Sequence, residues 1–104
     1  MRTLHHPARN DIMLAEVLYA LSDPTRLRIV ANLAKTTEDS CGALGGEIAK
    51  STVSHHCKVL REAGITHTRI EGTQHLISLR REDLDARFPG LLESIVRAAE
   101  LSPV

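Results

Sequence analysis

The sequence predicts a mainly α-helical fold with one small β-hairpin. Three observations predict it. Apolar residues recur at helical spacing through most of the 104 residues. The period changes once, in "ITHTRIEGTQHLISLRR", where two β-rich runs flank a glycine. The core must be aliphatic, because the chain has no Trp, one Tyr (Tyr19) and one Phe (Phe88). The length is expected to hold one domain, or one domain plus short tails. The 42% apolar and 25% charged residues fit a globular chain rather than a disordered one.

Residues 1–9 are expected to be a flexible arm, with residues 10–101 forming the folded domain. From about Asn10 to Leu21 the pattern is helical. Asn10 can cap, Asp11 suits the first turn, and Leu14, Val17, Leu18 and Leu21 share helical spacing. Ile12, Met13, Ala15 and Ala20 make this helix apolar on most sides. Such a helix is buried from two directions or covered by a partner chain. In "SDPTRLRIVANLAK", Ser22 or Asp23 caps a second helix. Pro24 takes its first position, where a missing N–H costs nothing. Leu27, Val30, Ala31 and Ala34 are expected to face inward, and Arg26 and Arg28 outward.

The next stretch, "TTEDSCGALGGEIAK", carries Gly42, Gly45 and Gly46. Glycine disfavours a regular helix, so a loop with at most one short turn or strand is expected over residues 38–49. "STVSHHCKVLREAG" then reads as a clear helix. Ser51 is the expected N-cap, Val53, Cys57 and Leu60 share one face, and Gly64 is a fitting stop. The hairpin runs from Ile65 to Ile70 and from Thr73 to Arg80, with Glu71-Gly72 as its turn. After "EDLDARFPG", broken at Pro89-Gly90, the stripe Leu91, Leu92, Ile95, Val96 and Ala99 predicts a last helix.

The formal net charge is zero, but it is unevenly spread. Residues 50–81 carry Lys50, Lys58, Arg61, Arg69, Arg80 and Arg81 against Glu62 and Glu71, a net +4. The flanking stretches 38–49 and 82–104 are acidic. A local basic face matters more for binding than the total. Cys41 and Cys57 are too few for a disulfide framework. "MRTLHHPARN" has no apolar run, and no stretch approaches membrane-spanning length. A reducing cytoplasm with free thiols, and no membrane partner, is expected.

Three stretches, "ALSDPTRLRIVANLA", "STVSHHCKVLREAGI" and "RIEGTQHLISL", resemble the ArsR/SmtB family of bacterial transcription regulators. The first is similar to that family's second helix. The second is similar to its recognition helix and the entry to its wing. The match spans roughly residues 12–80. The resemblance implies a dimeric winged helix-turn-helix protein that binds operator DNA, usually a repressor released by a ligand. The link 38–49 departs from the family, because three glycines stand where its positioning helix should lie.

On that reading, residues at the start of the third clear helix approach base edges in the major groove. Lys50, Ser51, Thr52, Ser54, His55, Lys58 and Arg61 are the candidates there. Arg69, Thr73, Gln74 and His75 are the candidates on the hairpin, with Arg69 suited to a narrow minor groove. The two terminal helices are expected to pair with their counterparts through Leu14, Val17, Leu18, Leu91, Leu92, Ile95 and Val96. A two-fold axis would then set two recognition helices about 34 Å apart.

"SHHC" first reads as a cluster of ligands. Neighbours on a helix point about 100° apart, so His55, His56 and Cys57 cannot converge on one ion. The family's own metal patterns, paired cysteines or ligands on the last helix, are both missing. No metal and no cofactor is expected. Cys41 and Cys57 are candidate redox residues, weighed against a plain reading as small packing residues. No base and orienting acid mark a nucleophile, so the protein is not expected to be an enzyme. The rival readings are a thiol- or metal-responsive sensor of the same fold, or a winged-helix protein-interaction module.

Overall fold

The computed structural model describes residues 4–101. The elements run α1 (Leu14–Ala20), α2 (Pro24–Leu33), β1 (Asp39–Ser40), α3 (Cys41–Gly45), α4 (Lys50–Glu62), β2 (Thr66–Glu71), β3 (Gln74–Leu79), α5 (Arg81–Arg87) and α6 (Leu91–Leu101). The strands form an antiparallel sheet in the order β1-β3-β2. The core is aliphatic, as the composition requires. Ile12, Ile29, Leu33, Leu60, Ile65 and Ile77 are its largest fully buried apolar side chains.

The first helix starts later than Asn10. A 3-10 turn at Arg9–Asp11 comes first, and the backbone is extended at Ile12 and Met13. The cause is tertiary. Ile12 is drawn into the core against Gly64, and Arg87 holds its carbonyl with two hydrogen bonds of 3.3 and 2.8 Å. That carbonyl is therefore not free to start a helical turn.

Asp23 caps α2 by accepting the Arg26 N–H at 3.1 Å, with Pro24 beside it in the first turn. The inward face is Arg26, Ile29, Val30 and Leu33, one residue round from the stripe expected at Leu27, Val30, Ala31 and Ala34. Arg26 turns in because its Nε donates to the Ala20 carbonyl, at the end of α1, at 2.6 Å. That bond satisfies a helix-terminal acceptor which has no partner inside its own helix.

The glycine-rich link is more ordered than expected. Asp39 and Ser40 pair with Ile77 and Leu76 of β3, and the Ser40 hydroxyl then caps α3 by accepting the Ala43 N–H at 3.2 Å. Gly45, which argued against a helix, is what lets α3 lie on α4. A Cβ there would stand 2.1 Å from Cγ2 of Val53.

Helix α4 begins at Lys50 with Ala49 as its cap, so Ser51 lies inside the first turn and does not cap. Its end is as expected. Gly64 adopts φ +87°, its N–H reaches the Arg61 carbonyl, and the Ile65 N–H reaches the Leu60 carbonyl, both at 3.1 Å. This is a Schellman closure, and it sends the chain directly into β2. The hairpin turn is Gly72-Thr73, one residue later than expected, since Glu71 pairs with Gln74. Gly72 supplies the positive φ, +61°, at the first turn position.

Two features escaped the sequence. "REDLDAR" forms a helix, α5, with Glu82 and Asp83 in its first turn and Arg87 in its last, the charge order a helix favours. The described part of the arm, residues 4–9, is also not loose. His6 Nε2 accepts the Thr68 N–H at 3.0 Å on the open edge of β2, and its ring stacks on His67 with centroids 4.4 Å apart. Arg80 donates to the Pro7 carbonyl at 2.7 Å, and Arg9 pairs with Asp83 at 2.7 Å.

Candidate nucleic-acid interface

Helix α4 is divided by its 3.6-residue period. Val53, Cys57 and Leu60 are buried, which leaves Lys50, Ser51, Thr52, Ser54, His55 and Lys58 exposed on the outer side. The wing follows without a linker, so its tip stands beside this face. Lys50, Ser54, Lys58 and Arg61 of α4 line one cleft with Thr73 and His75 of the hairpin. Its volume is about 560 Å³. Gln74 is exposed at the tip. The structure thus brings together six of the expected site residues and leaves Ser51, Thr52, His55 and Gln74 on the adjoining open surface.

Arg69 is placed differently from expectation. Its Nε and Nη2 donate to Glu38 at 2.9 and 3.0 Å, and its Nη1 donates to Glu71 at 2.5 Å. The paired guanidinium holds Glu38 below the usual carboxylate range, and both carboxylates push Arg69 itself upward. A cation clamped by two carboxylates is not a free probe for a groove. Arg80 and Arg81 also leave the basic set. Arg80 is spent on Asp83 and Pro7, and Arg81 donates to the carbonyls of Leu33, Ala34 and Thr36 past the end of α2. The cations left beside the outer face of α4 are Lys50, Lys58 and Arg61.

The cluster His55-His56-Cys57 splits three ways. His55 is exposed and Cys57 is buried. His56 is half-buried, with Nδ1 3.1 Å from Nη1 of Arg26. The guanidinium can only donate, so Nδ1 accepts and the ring proton sits on Nε2. Arg26 therefore ties α1, α2 and α4 together. Sequence reasoning missed this link. The signal was present, since Arg26 stands at helical spacing from Ile29, Val30 and Leu33, a more apolar stripe than the one chosen.

Among the expected dimer residues, Val17 and Leu92 are buried within the single chain and are unavailable to a partner. Leu14 and Leu18 are exposed, and Leu91, Ile95 and Val96 are half-buried. Met13 and Tyr19 add to the exposed apolar surface around α1. Val17 and Leu21 of the first helical region meet Leu91, Leu92 and Ile95 around one small apolar gap, so the two terminal regions are neighbours. No helix among the described residues is long and apolar enough to cross a membrane.

Comparison with known proteins agrees with this geometry. A helix-turn-helix domain model matches residues 21–69, from the end of α1 to the middle of β2. The HTH-type transcriptional regulator YceK of Bacillus subtilis is 39% identical over 83% of this chain and 89% of its own length. The transcriptional repressor BigR of Xylella fastidiosa superposes with a TM-score of 0.65 at 32% identity, over 85% of this chain and 83% of that one. The homodimeric winged helix-turn-helix DNA-binding domain of Mb0332 from Mycobacterium bovis, a possible ArsR-family regulator, gives a TM-score of 0.65 at 28% identity. That match covers 86% of this chain and 82% of that one.

Proposed function

This chain belongs to the ArsR family of winged helix-turn-helix transcription regulators, and we propose that it works as a homodimeric repressor on an inverted-repeat operator. The observation that carries this reading is the division of α4. One face is anchored in the core by Val53, Cys57 and Leu60, and the other offers small hydroxyls and cations beside the wing. Ser54 and His55 are the residues we assign to base edges. Lys50, Lys58 and Arg61 hold phosphates, and Ser51, Thr52, Thr73, Gln74 and His75 complete the contact surface. Arg69 braces the wing through Glu38 and Glu71 and enters no groove.

The dimer is supported by the exposed apolar surface of Met13, Leu14, Leu18 and Tyr19 beside the half-buried Leu91, Ile95 and Val96. The related Mb0332 domain is a homodimer, and BigR is a repressor. The protein acts by binding rather than catalysis, on cytoplasmic DNA. Release by an effector would act through a preference for one arrangement of helix and wing.

Footprinting on the DNA upstream of the protein's own gene tests the reading. Two protected half-sites about 10 base pairs apart, or a multiple of that, related by a dyad, are expected. A single unsymmetric footprint bound by one chain would overturn it.

A further inference from the structure

Two thiols meet beneath the reading helix. Cys41 is the first residue of α3, and Cys57 lies on the inward face of α4. Both line the cleft between α4 and the wing, and both thiols are free. Cys41 Sγ also lies 3.9 Å from the Val53 carbonyl, one helical turn before Cys57. Nothing in the DNA-reading surface uses either sulfur. We propose that Cys41 and Cys57 form an oxidisable dithiol that takes small two-electron oxidants of the peroxide class and, once joined as a disulfide, weakens DNA binding. The second half of this rests on the reading of α4 as the DNA-contacting helix.

The two sulfurs have distinct roles. Cys41 is half-buried and open to the cleft, whereas Cys57 is 5% exposed. The neighbouring Cys57 thiol lowers the Cys41 pKa, while Cys41 and then burial push Cys57 up. Cys41 is thus the attacking group and Cys57 the resolving one. The Cys41 thiolate attacks one peroxide oxygen and the O–O bond breaks. Cys41 becomes a sulfenic acid, and the departing hydroxide takes up the proton Cys41 released, leaving as water. The Cys57 sulfur then attacks the Cys41 sulfur and the S–O bond breaks. The hydroxyl leaves as a second water with the Cys57 proton. Two thiols are oxidised by two electrons, and hydrogen peroxide is reduced to two waters.

The disulfide reaches the reading face by geometry. Two free thiols must close to a bond of about 2.05 Å. At its other end α3 already touches α4, where Gly45 has no room for even a methyl group beside Val53. The approach must therefore come from rotation of α4 or unwinding of α3. Rotation of α4 moves Ser54 and His55 relative to the wing, and unwinding of α3 removes the support that Gly45 gives α4 at Val53.

The test treats the purified full chain with hydrogen peroxide. Intact mass, peptide mapping under non-reducing conditions and affinity for the upstream DNA are then measured. The expected product has lost two hydrogens and carries a 41–57 cross-link within one chain. Its DNA affinity is lower by about tenfold or more, and dithiothreitol restores it. Cys41→Ser should keep its reduced affinity and be insensitive to peroxide. Cys57→Ala, checked for folding by circular dichroism, should stop at the sulfenic acid or beyond, without an intrachain cross-link. Over-oxidation of wild-type Cys41 without a cross-link, or cross-links only between chains, would overturn the pair. A 41–57 disulfide with unchanged DNA affinity would overturn the coupling. If the reduced protein binds no DNA, the reading of α4 fails separately, and mapping alone decides the pair.

Discussion

Arg26 shows how far one side chain can depart from its expected place. An arginine on a helix is usually read as solvated, yet this one is 7% exposed and bonds to Ala20 and His56. Replacing it with alanine leaves a helix-terminal carbonyl and a ring nitrogen unpaired inside the protein. We expect Arg26→Ala to cost about 2–3 kcal/mol in denaturant melts. A loss under about 0.5 kcal/mol would show that water replaces the guanidinium. Arg69 is the converse, a presumed groove cation spent on Glu38 and Glu71. Arg69→Ala should therefore change the salt dependence of DNA binding far less than Lys58→Ala, whose loss should lower the slope by about 1. Ser54→Ala and His55→Ala should instead relax sequence preference, read by competition with operator variants. The residues of α4 were legible because a helical period separates inward from outward with few alternatives. The distant partners of the arginines were not, because a contact across 30 or more positions, as from Arg26 to His56 and from Arg69 to Glu38, leaves no local trace.

The elements that the sequence placed well are those whose ends carry their own chemistry. Asp23-Pro24 starts α2, and Gly64 ends α4 through bonds that lie within the motif itself. The misplaced elements depend on distant neighbours. The start of α1 is moved by Gly64 and Arg87, and α3 forms because β1 pairs with β3 and because Gly45 accepts the approach of Val53. A glycine count measures helix propensity alone, and tertiary contact overrides it. Two substitutions separate these effects. Gly45→Ala meets Val53 with no positive φ involved and should cost about 1–3 kcal/mol by pushing α3 off α4. Gly64→Ala meets Ile12 at 2.6 Å and also strains φ, so it should be the more damaging of the two. Equal melting temperatures for the two variants would contradict the distinction.

Across the whole molecule, the arm and α5 act as a brace on the wing. Arg9 and Arg80 both bond to Asp83 and hold its carboxyl below the usual carboxylate range. A depressed folded pKa contributes stability that is present above the unfolded value, near 3.8, and is lost as pH falls through the lower folded value. The stability gap between wild type and Asp83→Asn should thus be full at pH 5 to 7, about 1 kcal/mol, and close in stronger acid. His6 behaves differently. Burial, then His67, Arg61 and Arg80, lower its pKa from 6.5. Its neutral ring is what accepts the Thr68 N–H, so the arm should stay docked above pH 6.5 and loosen as the pH falls below it. Hydrogen exchange at the Thr68 amide reports this directly.

The central claim is that the outer face of α4 and the adjoining wing read DNA. Its most direct measurement is the affinity of the reduced protein for a labelled duplex from the region upstream of its own gene, taken over a range of salt concentrations. Binding well above that of an unrelated duplex, with log affinity falling linearly as log salt rises, is the predicted result. Absence of binding at low salt, or binding indifferent to both salt and Lys58→Ala, would contradict the account.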